Sequence, residues 1–591
     1  MTRVHFVRTS LLAATILAAG AFSVSPALAQ NAGDNLNSIE SEIKDLQKEL
    51  KRLKQQLADQ AKAKAAEAQK ARAAATAAPV APYAAPNLAQ ASPPTLVPQQ
   101  LPPTIAPPPA VGTSVNPTPP AAFSDEYPIT TVPPPPGSDS LYSASPAILT
   151  QLAPGYSLRI GGLTVTLGGY VEAASIYRNH NETAGVGSNF NTAIPMANNP
   201  NYYIGEYRMD ARQSRWAALA QGNISNSISV AAYLEGDFLS AAPTANSIES
   251  SSYNPRWRLY YAQIDDSDLG LHALVGEGWS LATMFKTGMV PRQELIPIDP
   301  EAQYIVGFTW TRNMEYRLVK SFDDNRFNVG LSLENPASNW YVGPNGTGVK
   351  GTTYYQFPGG PLYFSGTNYS FDAAPDVILK TTYDPGFGHY ELYGLGRWLR
   401  DRTTIGTGGN NHITPAGGVG GGVLYSFFDQ WLDVYSTFLA GYGIGRYTTA
   451  GLPDATVGRD GSPAPIPGAQ LLIGAIAHPS DAVDAYLYFG TEQERATAFT
   501  NAGKGYGYGS ALYSNAGCDI QSNPVCTANT SGVTEGSVGF WWRFLEGKNV
   551  GVFLAGPQYQ YIRRATFAGV GGAPKVNEQI WMFSMRYYPF Q

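Results

Sequence analysis

Ile228-Ser229-Val230-Ala231-Ala232-Tyr233-Leu234-Glu235-Gly236-Asp237-Phe238 sets Ile228, Val230, Ala232, Leu234 and Phe238 on one parity and Ser229, Glu235 and Asp237 on the other. A period of two is the mark of a strand with one apolar and one wet face. The pattern recurs: Phe327, Val329, Leu331 and Leu333 oppose Asn328, Ser332 and Glu334, while Val483, Ala485, Leu487 and Phe489 oppose Asp484 and Glu492. A charge on a lipid face at mid-depth costs about 2–4 kcal/mol, so parity constrains facing strongly.

Outward from this stretch, candidate strands run over 161–177, 206–219, 226–239, 256–265, 270–280, 306–320, 325–335, 374–384, 387–401, 417–428, 430–446, 467–478, 481–495, 534–545, 549–564 and 576–590. Short connections fall at Gln221 to Ser225, Asp266 to Asp268, Asp323 to Asn325, Asp384 to Gly386, Asp429, Pro479 to Asp481 and Glu546 to Lys548. Between them lie Gly/Asn/Pro-rich excursions such as 178–205, 336–373 and 496–533. Tight turns on one side and open loops on the other predict an all-β fold over 156–591: a transmembrane antiparallel up-and-down β-barrel of about sixteen strands. That size leaves an aqueous channel, and an even count puts both ends of the sheet on one side.

Composition agrees. With 62 Gly, 36 Tyr, 45 Pro and only 14% charged residues, the chain is unlike an average soluble enzyme and suits strands, aromatic girdles and loops. Beyond the N-terminal leader no apolar run reaches 18 residues, which excludes a helical span. The mean hydropathy of -0.18 is no objection, since alternate strand residues face water. The formal charge of -6 gives no case for nucleic acid.

Ahead of the barrel, Arg3 and Arg8 precede an apolar run from Leu11 to Phe22, and Ala27-Leu28-Ala29 forms a cleavage site, so 1–29 is expected to be a secretory leader. In 30–78, Leu36, Ile39, Ile43, Leu46, Leu50, Leu53 and Leu57 recur at alternating gaps of three and four. This narrow seam predicts a coiled-coil helix rather than a lone amphipathic one, with dimer and trimer both open. Residues 79–155 are dominated by Pro, Ala, Thr and Ser and form an extended linker, on the order of 200 Å at full stretch. Because helix and linker come first, the strand ends are expected to face the periplasm and the long loops the exterior. Cys518 and Cys526 are expected to close one small disulfide loop in an oxidising compartment; metal ligation lacks further His or Cys nearby.

Three pieces carry a resemblance: Tyr233-Leu234-Glu235-Gly236-Asp237-Phe238, then Gly276-Glu277-Gly278-Trp279-Ser280, then Gly441-Tyr442-Gly443-Ile444-Gly445-Arg446-Tyr447. With the N-terminal coiled coil, they resemble the DcaP-like family of trimeric outer-membrane porins. The resemblance implies a homotrimer of sixteen-stranded channels for small polar or anionic solutes, with the loop after Trp279-Ser280 folded inward. Glu277-Gly278 stands where the family pattern has Gln-Thr, and an acid there bears on ion preference. The aromatic ending at Tyr588 and Phe590 is similar to the C-terminal assembly signal of such barrels, with Gln591 one residue beyond it.

No cofactor or enzyme motif emerges: His5, His180, His272, His389, His412 and His478 are dispersed, and Gly418 to Gly422 and Gly503 to Gly509 lack the Lys-Ser/Thr of a phosphate cradle. What remains is charge at lumen parity. Glu235 and Asp237, Arg256 and Arg258 alternating with Trp257 and Leu259, Glu315 and Arg317, and Glu391 and Arg397 are pore-lining candidates, joined by Arg212 or Arg215. One reading is wall lining by cross-strand ion pairs; the other is an arginine ladder facing acids on an inward loop, which sets ion preference. The loop Leu281 to Tyr304 is the constriction candidate, through Lys286, Arg292, Glu294, Asp299 and Glu301.

Two functions follow. The first is a passive porin for small hydrophilic solutes in the outer membrane of a Gram-negative cell, its belt against lipid and lipopolysaccharide. The second is an envelope tether, in which helix and linker grip peptidoglycan or another periplasmic partner and the barrel is an anchor.

Overall fold

The computed structural model describes residues 157–239, 253–358, 368–428, 430–547 and 550–590, together with Lys48, Lys51 and Gln55, which are helical. The leader 1–29, the seam from Leu36 to Leu57 and the linker 79–155 lie outside the described residues.

One sheet holds nineteen strands, of which three are short flanking pieces, Ser157–Ile160, Glu206–Asp210 and Thr352–Tyr354; the other sixteen build the wall. They are β1 (Leu163–Arg178), β2 (Arg215–Asn223), β3 (Ile228–Asp237), β4 (Arg256–Asp266), β5 (Leu271–Trp279), β6 (Arg312–Phe322), β7 (Phe327–Glu334) and β8 (Asp376–Tyr383). The circuit continues with β9 (His389–Ile405), β10 (Gly408–Phe427), β11 (Leu432–Tyr442), β12 (Pro467–Ser480), β13 (Val483–Glu494), β14 (Thr530–Gly547), β15 (Gly551–Thr566) and β16 (Lys575–Tyr588). Each pairs antiparallel with the next, from β1 with β2 to β15 with β16. Val171–Arg178 of β1 then pairs with Ile580–Tyr587 of β16 and closes the cylinder. The closed wall leaves no open edge, so its strands pair their amides with neighbouring strands even in oil.

Parity decides what faces lipid. Leu234, Tyr316, Leu318, Leu331, Leu392, Leu487, Phe489, Trp581 and Phe583 are exposed, whereas Glu315, Arg317, Ser332, Glu391, Asp484 and Glu492 are buried on the inner side. β16, apolar on both parities, turns Ile580, Met582, Ser584 and Arg586 inward and Trp581, Phe583 and Met585 outward. Near the tight turns, rings cluster outside: Phe322 with Phe327 at 6.0 Å, Phe387 with Tyr425 at 6.1 Å, Phe553 with Tyr587 at 4.2 Å. Amphipathic rings belong at such an interface.

The tight turns hold through residues that tolerate left-handed backbone. Asp323, Asp324 and Asn325 all have positive φ (50°, 50° and 67°) between β6 and β7, a conformation open to Asp and Asn at small cost. At the β4–β5 turn, Asp266 Oδ1 accepts from the backbone N–H groups of Asp268 and Leu269, each at 3.0 Å.

Four expectations are corrected. Residues 402–416 are not an open excursion: β9 and β10 run on and meet in a two-residue hairpin, Gly406-Thr407, with φ +59° at Gly406. The strand expected over 206–219 is broken into Glu206–Asp210 and Arg215–Asn223, both alongside β1. The strand expected from 306 begins at Arg312, because Val306 and Gly307 give their N–H groups to Glu535 and Glu492 of the wall. Leu259 does not oppose Arg258: a register shift between Glu235 and Gly236, the bulge facing them on β4, places both Arg258 and Leu259 on the inner side.

Candidate functional site

The lumen is crossed by residues 280–311, the β5–β6 connection, which are buried almost throughout. Backbone inside a barrel must find partners other than water, and here wall carboxylates supply them. Leu281 N–H donates to Glu334 Oε1 at 2.9 Å, Phe285 N–H to Glu391 Oε2 at 3.3 Å, Val306 N–H to Glu535 Oε2 at 2.8 Å and Gly307 N–H to Glu492 Oε1 at 2.8 Å. From β8, Lys380 Nζ donates to the carbonyls of Leu281 and Thr283 at 3.0 and 2.7 Å and pairs with Glu391 Oε1 at 2.8 Å. On the far wall, Trp541 Nε1 donates to Ile298 O at 2.5 Å and Ile298 N–H to Tyr488 OH at 3.0 Å.

The loop also buries apolar side chains. Leu295, Ile296, Ile298, Tyr304, Ile305, Phe308 and Trp310 pack on Tyr233, Tyr261, Leu274, Tyr486, Tyr488 and Trp541 of the inner wall. The inner face is therefore aromatic as well as charged where the loop lies, not uniformly wet. Tyrosine on the inward parity is the sequence trace of that contact.

The inward charges form separate clusters. In the first, Arg256 Nη2 and Nε bind Asp237 at 2.8 and 3.0 Å, Arg258 binds Glu235 at 2.6 Å and Asp237 at 3.3 Å, and Arg215 lies 3.7 Å from Glu235. Arg212 sits apart, paired with Asp210 at the break before β2 and 4.1 Å above the Tyr253 ring. In the second, Arg317 holds Glu315 at 2.7 Å and also donates to Trp279 O, at the root of the loop. In the third, Glu391 meets Lys380 and, at 3.2 Å, His389. In the fourth, Arg397 joins Asp376 at 3.2 Å and Asp454 at 2.6 Å near the loop end. Among the described residues the arginines of these four clusters meet acids of the wall or of outer loops rather than Asp299 or Glu301.

Within the loop, Lys286 N–H donates to Gln293 O at 2.7 Å and Phe285 bridges Glu294, making a small hairpin. Arg292 Nη1 donates to Tyr261 OH at 2.9 Å. Glu301 accepts from Ser188 N–H and Oγ at 2.9 and 2.8 Å, tying this loop to the β1–β2 connection. Asp299 is fully buried, and among the described residues neither of its carboxylate oxygens has a hydrogen-bond partner. Burial pushes its carboxyl well above the usual range, and Glu301 and Glu535 nearby push it further. Cys518 and Cys526 are joined by a disulfide in the β13–β14 connection.

The sequence reading passed over several participants: Lys380, Glu334 and Glu535 anchor the loop, and Arg586 on β16 binds Glu172 of β1 at 3.0 Å across the closure. Inward parity was the available signal for the first three. Arg586 lay hidden in a strand apolar on both faces.

A closed antiparallel cylinder of sixteen strands, apolar outside, charged and aromatic inside, with one connection laid across its lumen, defines a transmembrane barrel of the porin fold. Among solved structures the chain is similar to the outer membrane channel DcaP of Acinetobacter baumannii, at 13% identity and TM-score 0.50 over 73% of this chain and 99% of that one. It is similar more remotely to OmpT, an outer membrane protein of Vibrio cholerae, at 10% identity and TM-score 0.40 over 73% and 99%. The same holds for OprB of Pseudomonas putida, at 10% and 0.39 over 71% and 94%. At such identities the likeness to DcaP is one of fold. No protein-family model matches the chain, and no curated protein matches it either.

Proposed function

We propose that this chain is an outer-membrane porin, a passive channel for small hydrophilic solutes with anions among them, assembled as a homotrimer through its N-terminal coiled coil. The observation that carries the reading is a transmembrane cylinder whose inner side holds clusters of ionisable groups and an anchored loop, since a lumen built only as an anchor has no need of such groups facing it. The guanidinium groups of Arg215, Arg256 and Arg258 on the inner side are the reason for counting anions among the solutes. β1 begins and β16 ends at the tight-turn end, so a preceding linker puts that end in the periplasm and the long loops outside, against lipopolysaccharide.

Liposome swelling tests this against the tether reading. Vesicles carrying the chain should swell in small sugars and organic acids at a rate that survives deletion of residues 30–150. Vesicles that stay tight, from cells that shed outer membrane when the same segment is deleted, would favour the tether.

A further inference from the structure

At the loop end a cavity of about 300 Å³ opens between four connections, lined by Asn191, Tyr341, Pro344, Tyr508 and Asn529 and floored by Arg564 of β15. The volume is at the low end for small-molecule sites. Arg564 is 7% exposed. Its Nε donates to Thr530 Oγ1 at 2.9 Å and its Nη1 to Ile194 O at 2.7 Å, and both acceptors are uncharged. Among the described residues no carboxylate pairs with it; the neighbouring titratable group is the Tyr508 phenol, and Glu494 engages that phenol instead. Every other buried arginine of the lumen noted above sits against an acid.

A guanidinium taken from water without a counter-ion is costly, and its forked donors suit an oxyanion. The Tyr341 and Tyr508 rings, edge to face with centroids 5.0 Å apart, and Pro344 give the same cavity an apolar wall. We propose that this cavity is a capture site for a small organic anion, its carboxylate on Arg564 and its flat apolar body against Tyr341 and Tyr508. As an antechamber to the lumen the site rests on the porin reading; as a binding site it stands apart from it. No motif marks the cavity, because it gathers residues from 191 to 564.

The test is equilibrium dialysis of the full chain in detergent with radiolabelled phenylacetate and, in parallel, phenylacetamide. Phenylacetate should be retained about tenfold more tightly than the neutral amide, one charge-assisted contact being the difference. Arg564→Gln should lose about the same factor, and Arg564→Lys, keeping charge without the fork, should fall between. Equal retention of acid and amide by the unaltered chain, or full retention of the acid by a heat-stable, folded Arg564→Gln barrel, would overturn the site. The outcomes separate the two readings. Retention in a barrel that passes no current keeps the site and removes the porin, whereas current without retention does the reverse.

Discussion

Asp237 grips Arg256 with both carboxylate oxygens across the β3–β4 pair, yet its own side chain is wholly covered while that of Arg256 keeps 23% of its surface open. The acid is spent holding the wall, and the cation is the member a passing ion meets.

Arg256→Ala should therefore shift permeability toward cations and Asp237→Asn toward anions, each by roughly two- to fivefold, the factor that about 0.5–1 kcal/mol of screened Coulomb energy gives. Reversal potentials in a salt gradient measure this. Shifts of the same sign in both variants, or none, would remove the cluster from ion selection.

Arg258 plays the opposite part, with its side chain fully covered between Glu235 and Asp237. Arg258→Ala should destabilise the barrel by about 1–3 kcal/mol, since buried Glu235 loses its 2.6 Å partner while Asp237 keeps Arg256. A double change of Arg258 to Met and Glu235 to Gln should recover most of that. Heat-dependent gel mobility is the readout, and a single variant as heat-resistant as the parent would refute the pairing.

Lys380 ties the loop to β8 through two carbonyls and Glu391. Lys380→Met removes three partners at once and should raise single-channel conductance and its open-channel noise. Adding Glu391→Gln, which spares the unpaired acid, should restore part of the stability without restoring the restriction. Conductance equal to the parent's in Lys380→Met would show that the loop is held elsewhere.

Asp299 fixes the sign of one pH effect. Its carboxyl is raised in the folded chain, so the folded state keeps a proton that the unfolded state releases near pH 4. Stability from this group is full below that pH and is lost as pH rises toward the folded value, with a slope of about 1.4 kcal/mol per pH unit. Asp299→Asn should flatten the pH dependence of urea unfolding between pH 5 and pH 8 and be the more stable form at the upper end. An unchanged slope would mean that the buried acid has found a partner.

Parity made the barrel legible: Leu234, Tyr316 and Leu487 declare the lipid face because a charge in their places is costly, and the Asp-rich turns at Asp266 and Asp323 mark the strand ends. Pairing was not legible, since which acid meets which arginine depends on register between strands; Arg256 lies opposite Asp237 only because of the shift at Glu235/Gly236. That bulge also turned Leu259 inward against the simple alternation. The β9–β10 hairpin read as loop because its Thr/Asn/Gly-rich arms extend past the apolar belt, where alternation carries no penalty. Tyr233, Tyr261, Tyr486 and Tyr488 on the wet parity were the unread sign that something apolar lies inside.

The most direct measurement is planar-bilayer recording on the purified barrel. Discrete, ohmic conductance steps with mild anion preference are the result expected of a lumen that conducts around its anchored loop. Insertion without current above the bare bilayer would contradict the account.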